Sequence, residues 1–137
     1  MSLEANLQSA VESGQLLAAS QENILALLKA SENPVYRASV EELASAGQWA
    51  ELNDRFFQSL KFGTGGLRGR TIGKTVTTAE RGNAGEGDRP EHPCVGTNAM
   101  NFFNVTRATR GLIAYIKTYR ANAGLTGRAS IVFSHDT

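Results

Sequence analysis

The sequence predicts an α/β protein, in which a helical N-terminal extension over residues 1–60 is followed by part of an α/β domain over residues 61–137. Apolar residues recur every three or four positions in the first part, as on the buried face of a helix. The second part holds twelve of the fourteen glycines. A β-prone segment, an amphipathic helix and a short apolar run follow one another there, which is the βαβ order of an α/β domain.

Three short helices are predicted in the N-terminal extension. Asn33-Pro34 separates the first from the second, because a proline disfavours helical backbone at the residue before it. Ser39 is expected to cap the second helix and Gly47 to end it. No residue of the extension is typical of a catalytic site, so we expect these helices to pack against a larger structure. The helices cover residues 21–30, 39–46 and 49–60, and the last has Leu52, Phe56 and Leu60 on one face.

A strand and a loop are predicted next. Residues 71–78 are β-prone, with Ile72 and Val76 as apolar positions. Residues 79–95 contain two prolines and show no periodicity, which indicates a polar surface loop.

The clearest periodic pattern lies in residues 98–123 and predicts a helix. Asn98 or Asn101 is suited to cap this helix, and Gly124 to end it. Residues 129–133 (ASIVF) then predict a buried parallel strand. Because a parallel sheet of two strands is incomplete, we expect the domain to be truncated at the C-terminus. The apolar stripe of the helix comprises Phe102, Val105, Thr109, Leu112, Ile116 and Tyr119.

Composition excludes several classes of protein. With 41% hydrophobic and 20% charged residues, the chain has the balance of an ordinary globular domain. No apolar run approaches the ~20 residues that cross a bilayer, and no secretory signal pattern is present at the start. A single cysteine, Cys94, cannot form an internal disulfide, and with two histidines it predicts no metal site. We therefore expect a cytoplasmic protein without a membrane partner.

The net charge of +1 conceals an asymmetry between the two parts. Residues 1–60 carry eight acidic and three basic side chains, whereas residues 61–137 carry five acidic and eleven basic ones. A basic, glycine-rich segment suits an anionic ligand, of which phosphate is the most common.

A glycine-rich loop at residues 63–70 is the strongest candidate for binding such an anion. Glycines allow the backbone to approach a ligand closely, so that consecutive N–H groups can converge on phosphate oxygens. Arg68 adds a planar guanidinium suited to phosphate. The alternative from the residues alone is a glycine-rich turn beside a solvated arginine.

Three other sequence patterns in the chain do not match the binding motifs that they resemble. A dinucleotide-binding GxGxxG motif beginning at Gly63 would need glycine where Arg68 stands. The segment from Gly69 to Thr75 has one residue too few for a phosphate-binding P-loop. Arg107, Arg110 and Arg120 are spaced as on an ordinary solvated helix face, so no nucleic-acid partner is predicted.

Four segments, in order, resemble the α-D-phosphohexomutases, the superfamily of phosphoglucomutases and phosphomannomutases. Residues 62–69 (FGTGGLRG) resemble the N-terminal active-site loop, and residues 96–101 (GTNAMN) resemble the G-x-N-x-M-N segment. Residues 105–115 (VTRATRGLIAY) are similar to the helix that follows, and the C-terminal SIVFSHDT to a strand ending in Asp-Thr-Arg. The lead-in LNDRFFQSLKFGTGGLRG is most similar to the longer, phosphoglucomutase-2-like branch. The resemblance covers residues 49–78 and 96–137.

This resemblance implies that residues 61–137 are part of a three-layer α/β/α domain I of an intramolecular phosphotransferase. Such an enzyme interconverts hexose 1-phosphate and hexose 6-phosphate, of glucose or mannose, in carbohydrate metabolism. A phosphoserine gives its phosphoryl group to the sugar phosphate, and the resulting hexose 1,6-bisphosphate returns the other one. Mg²⁺ is bound at the phosphoserine in the complete enzyme.

The resemblance also implies the site residues. Arg68 matches the catalytic loop arginine, which is expected close to the transferring phosphoryl group. Arg70 is adjacent and is equally compatible with a surface position. The residues implied to bind the substrate phosphate are Gly63, Thr64, Gly65, Gly66 and Arg68.

Several parts of the family pattern have no counterpart in this sequence. These are the phosphoserine loop (T-A-S-H-N-P), the metal-binding loop (D-G-D-x-D-R), the sugar-recognition loop and the C-terminal phosphate-binding loop. We therefore expect the chain to act with the remaining domains of the same polypeptide and to be inactive alone. Residues 74–95 are expected to be an insertion. The alternative hypothesis is a non-catalytic phosphate- or nucleotide-binding module that uses the same loop.

Overall fold

The computed structural model describes residues 2–132, and these residues are mostly helical. Their strands form a single two-stranded antiparallel hairpin. The predicted strand at residues 71–78 is not formed, and residues 129–132 are not in a strand, while residue 133 lies outside the described part. In order, the elements are α1 (Leu3–Glu12), α2 (Ala18–Ala30), α3 (Pro34–Ser45), α4 (Trp49–Phe56), β1 (Phe62–Gly63), β2 (Gly66–Leu67), α5 (Thr78–Arg81) and α6 (Phe102–Asn122).

The start of α3 corrects a predicted boundary. Asn33-Pro34 was expected only to separate two helices, but Asn33 is the N-cap of α3 and accepts a hydrogen bond from the Val35 N–H at 3.0 Å. Pro34 occupies the first turn, where its missing N–H leaves no helical bond unmade. Ser39, the predicted cap, lies inside α3 and is buried, with its hydroxyl 2.9 Å from that of Thr77.

Helix ends elsewhere agree with the sequence. Gly47 follows α3 with a φ of 65°, a left-handed conformation that favours glycine. Asn101 accepts a hydrogen bond from the Asn104 N–H at 3.0 Å, as the predicted cap of α6. Gly124 lies just beyond the last residue of α6.

The hydrophobic core is built mainly from α1 to α4. Leu7 of α1 and Ile24 of α2 are fully buried together with Leu52 and Phe56 of α4. Leu52 and Phe56 thus lie on the predicted apolar face, whereas Leu60 is buried but lies beyond the end of α4, so the third helix is shorter than predicted. Burial of each such side chain contributes about 1.5–3 kcal/mol, which explains why short helices are stable here.

The chain forms two compact units, Met1–Val105 and Thr106–Thr137. Residues on both sides of the predicted boundary at 60/61 belong to the first unit. The predicted helix forms as α6, of which the part from Thr106 onward belongs to the second unit, and its apolar stripe is largely exposed, including Leu112 and Tyr119. Over residues 2–132, no helix combines the length and apolarity required to cross a membrane.

Candidate functional site

The glycine-rich segment folds into a tight hairpin. Phe62 pairs with Leu67 and Gly63 with Gly66, which leaves Thr64 and Gly65 as the two-residue loop. Gly65 has a φ of 84°, a conformation that side-chain-bearing residues rarely adopt. The composition of the segment is therefore explained by the turn that it makes.

Arg68 follows β2 directly, so the predicted site residues form one continuous segment. Its side chain is exposed and makes no hydrogen bond or ion pair with any residue between 2 and 132. Gly63, Thr64 and Gly65 are exposed as well, and Gly66 is half-buried. The hairpin thus combines an exposed glycine turn with a guanidinium that has no partner among residues 2–132, and a free guanidinium is suited to bind an anion.

Both ends of this hairpin are fixed to residues 94–100. The Leu60 N–H donates to the Thr97 carbonyl at 2.6 Å, and the Met100 N–H donates to the Arg70 carbonyl at 2.9 Å. Gly69 lies so close to this segment that an added Cβ would be 2.9 Å from Leu60 Cδ1 and 3.1 Å from Met100 N. The glycine at position 69 is thus explained by packing.

Two asparagines hold the 94–100 segment itself. The Asn101 amide donates to the carbonyls of Cys94 and Gly96, at 2.9 and 2.8 Å. The Asn104 amide donates to three carbonyls, of which that of Ala99 is nearest at 2.7 Å. Because both side chains are buried, these bonds make the GTNAMN segment a rigid support for the hairpin.

Arg70 is a partner of helix α4. Its guanidinium forms an ion pair with Asp54 and lies 3.8 Å from Glu51 Oε2. Its side chain is 28% exposed, whereas that of Lys74, which also approaches Asp54, is 78% exposed. The sequence left a surface position open for Arg70. The structure shows a half-buried side chain whose positive charge is paired with carboxylates of α4.

A buried ion cluster at Arg55 is not predicted from the sequence. Arg55 of α4 is fully buried and donates to Glu51 Oε1 at 2.8 Å and to Glu80 Oε1 at 2.5 Å. It also donates to the carbonyls of Thr75 and Val95, at 2.5 and 3.3 Å. Residues 79–95, predicted as a surface loop, thus place Glu80 in the interior.

Two sequence signals point to parts of this cluster. Glu51 and Arg55 are four residues apart in a helix, the spacing of an ion pair. Thr77 and Glu80 form a capping box, in which the Glu80 N–H donates to Thr77 Oγ1 and the Thr77 N–H to Glu80 Oε2. Neither signal reveals that the two pairs meet.

Electrostatics in the cluster follow from burial. Burial acts to lower the pKa of Arg55, but the hydrogen bond to Glu80 and the surrounding negative charge outweigh it and raise the pKa. Burial also raises the pKa of the Cys94 thiol to about 11, although Arg55 acts in the opposite direction. The thiol is therefore protonated near neutral pH, which disfavours a nucleophilic role.

A metal site is not formed by these residues. Between residues 2 and 132, no group of three or more histidine, cysteine, aspartate or glutamate side chains is placed to hold an ion. Asp54 and Glu51, the carboxylates beside Arg70, are already engaged by cationic side chains. They do not fit a Mg²⁺ site.

Comparison of the chain with protein-family models, with curated proteins and with solved structures found no match in any of the three.

Proposed function

We propose that this chain is the N-terminal portion of a cytoplasmic phosphohexomutase, in which Arg68 and the hairpin bind the phosphoryl group that is transferred. The observation that carries the proposal is the exposed guanidinium of Arg68, which has no partner among residues 2–132, on a glycine hairpin whose two ends are fixed. An arginine without a carboxylate partner keeps its donors available for an anion. A fixed backbone lowers the cost of orienting those donors.

In this proposal, the chain contributes binding and charge stabilisation. The guanidinium of Arg68 donates to oxygens of the phosphoryl group as it passes between serine and sugar, while the hairpin supplies N–H donors. The phosphoserine, Mg²⁺ ligands and sugar-recognition groups belong to the remaining domains of the polypeptide. The substrates are hexose 1-phosphate and hexose 6-phosphate, with hexose 1,6-bisphosphate as the intermediate.

The test is a mutase assay of the complete enzyme that carries this chain. Glucose 1-phosphate is supplied with glucose 1,6-bisphosphate and Mg²⁺, and formation of glucose 6-phosphate is coupled to a dehydrogenase. We expect Arg68→Ala to fold normally and to lower kcat by on the order of 10²-fold or more, because a transition-state charge donor is lost.

A matched control removes another exposed arginine. Arg110→Ala deletes the same charge from α6, outside the hairpin, and should leave kcat unchanged. Wild-type kcat in Arg68→Ala would refute the catalytic role of Arg68. Absence of mutase activity in the unaltered enzyme would refute the proposed reaction.

A second candidate is a phosphate-binding module without catalysis. It is favoured by the fact that the hairpin and its supports all lie within one compact unit, Met1–Val105. Calorimetric titration of the 137-residue chain with inorganic phosphate and with glucose 6-phosphate tests it. Stoichiometric binding combined with an inactive complete protein would favour the module over the enzyme.

A further inference from the structure

Two arginines separated by a single residue have opposite surroundings. Arg68 is exposed and unpaired among residues 2–132, whereas Arg70 forms an ion pair with Asp54 and approaches Glu51. An arginine that binds an anion directly is expected to keep its donors available, as Arg68 does. The guanidinium of Arg70 is paired with carboxylates of α4, so its role must differ from that of Arg68.

Arg70 is held through its backbone as well as its side chain. Its carbonyl accepts the Met100 N–H at 2.9 Å, while its guanidinium contacts two carboxylates of α4. It therefore links the end of the hairpin to a helix on one side and to the 94–100 segment on the other. Only Gly69 lies between this link and Arg68.

The helix side of the link is rigid. Glu51 Oε1 accepts from Arg55 Nε at 2.8 Å and from the Lys74 N–H at 3.1 Å. Since Arg55 and Glu51 are both buried, Glu51 cannot move without breaking bonds in the interior. Asp54 belongs to the same helix, whose apolar face lies in the core.

We propose that Arg70 is a positioning residue, which through its ion pair with Asp54 fixes the hairpin and so orients Arg68 toward a bound phosphate. The inference rests on the proposed function for its ligand. A fixed guanidinium binds with less loss of conformational entropy, and a displacement of about 1 Å can cost up to 10²-fold in rate.

Reciprocal substitutions separate positioning from direct phosphate binding. Arg70→Met removes the pair from one side, and Asp54→Asn removes it from the other at almost unchanged volume. If Arg70 positions the hairpin, both changes act in the same way and the double variant is no worse than either single one. If Arg70 binds phosphate itself, Asp54→Asn frees its guanidinium and affinity is kept or increased.

The experiment has two readouts on the 137-residue chain. The first, without ligand, is the ¹⁵N–¹H nuclear Overhauser effect of the backbone amides at residues 62–68, which reports hairpin order. The second is the Kd for inorganic phosphate. We expect Arg70→Met, Asp54→Asn and the double variant each to lower hairpin order and to raise Kd about tenfold. Arg70→Lys, which keeps one charged donor for Asp54, should give intermediate values.

Lys74→Met is the matched control. Lys74 Nζ lies 3.7 Å from Asp54, but the side chain is 78% exposed, so its loss should change neither readout. Thermal unfolding of every variant shows whether the protein is folded. If Arg70→Met does not fold, Asp54→Asn alone tests the loss of the ion pair.

Each remaining outcome has a single meaning. Unchanged hairpin order in folded Arg70→Met and Asp54→Asn overturns the positioning role, and so does a loss of affinity confined to Arg70→Met. Lowered order in both variants, with no phosphate bound by the unaltered chain, supports the positioning of the hairpin and refutes phosphate binding by this chain alone, whereas the proposed reaction is decided by the mutase assay of the complete enzyme.

Discussion

Arg55, Arg68 and Arg70 differ in how much water surrounds the guanidinium, and this difference separates their roles. Arg55 is buried between two carboxylates, Arg70 is 28% exposed beside two, and Arg68 is exposed with no partner among residues 2–132. A buried guanidinium must have its hydrogen bonds made within the protein, because water is absent. Of these three guanidinium groups, that of Arg68 is the least engaged by residues 2–132 and the most accessible to a ligand.

At the residue scale, Glu80→Gln should destabilise the first unit. Glu80 accepts from Arg55 and from the N–H groups of Val95 and Thr77, and the substitution replaces one acceptor oxygen with a donor. It also removes a negative charge facing buried Arg55. Breaking a buried ion pair from one side costs about 3–5 kcal/mol. Urea unfolding followed by circular dichroism would measure the change in the free energy of unfolding.

An exposed carboxylate provides the comparison for this substitution. Glu86→Gln makes the same chemical change at an exposed position, where the effect should stay within about 0.5 kcal/mol. Equal unfolding midpoints for the two variants would contradict the stabilising role of the Arg55–Glu80 pair.

At the element scale, local signals predicted helices well and their starting residues less well. Leu52 and Phe56 were placed correctly because four-residue spacing defines a helix face whatever surrounds it. The prediction that Ser39 caps a helix was wrong, because a serine can also make a hydrogen bond in the protein interior. Its partner, Thr77, is remote in sequence, so local signals do not reveal that bond. Residues 71–78 form no strand. Their apolar residues do not alternate regularly with polar ones, as those of a half-buried strand do.

The candidate site divides in the same way. The turn at Gly65 could be predicted from residue types because a turn is a local feature, whereas the roles given to Gly65 and Arg68 in phosphate binding stay predictions. The link from Arg70 to Asp54, and that from Arg55 to Glu80, join residues 16 and 25 positions apart. Charge alone does not select these partners among the many acids and bases of the chain.

Two glycines give opposite predictions for the same substitution. A Cβ at Gly96 would lie 2.7 Å from the Arg55 carbonyl oxygen and 3.0 Å from Arg55 Cβ, so Gly96→Ala must displace buried backbone. We expect a loss of about 1–3 kcal/mol. Gly111 lies within α6 with nothing within 4 Å of an added Cβ, so Gly111→Ala should raise helix stability by up to about 1 kcal/mol.

These two variants are compared by separate measurements. Chemical denaturation reports the unfolding of the first unit for Gly96→Ala, and helical circular dichroism reports α6 for Gly111→Ala. A Gly96→Ala protein as stable as the unaltered chain would contradict the close approach of residue 96 to α4.

At the scale of the whole molecule, burial is unevenly distributed along the chain. The first unit contains every buried residue among residues 2–132, with its core in α1 to α4. From Thr106 to Val132, all side chains are exposed or half-buried, including the aromatic rings of Tyr115 and Tyr119. Helices in water depend mainly on packing of an apolar face, so the two units should differ in local stability.

Hydrogen exchange tests this difference. Amides of α2 and α4 are covered by the core and should open only with unfolding of the first unit, whereas those of α6 from Thr106 onward have no buried side chain to hold them. We expect exchange at residues 106–122 to be at least about 100-fold faster than in α4, as measured by mass spectrometry of peptides from the 137-residue chain. Equal protection that persists on dilution would contradict the prediction, because it would require α6 to be stable with its apolar stripe exposed. Protection that is lost on dilution would instead indicate self-association, because only an equilibrium between copies of the chain depends on its concentration.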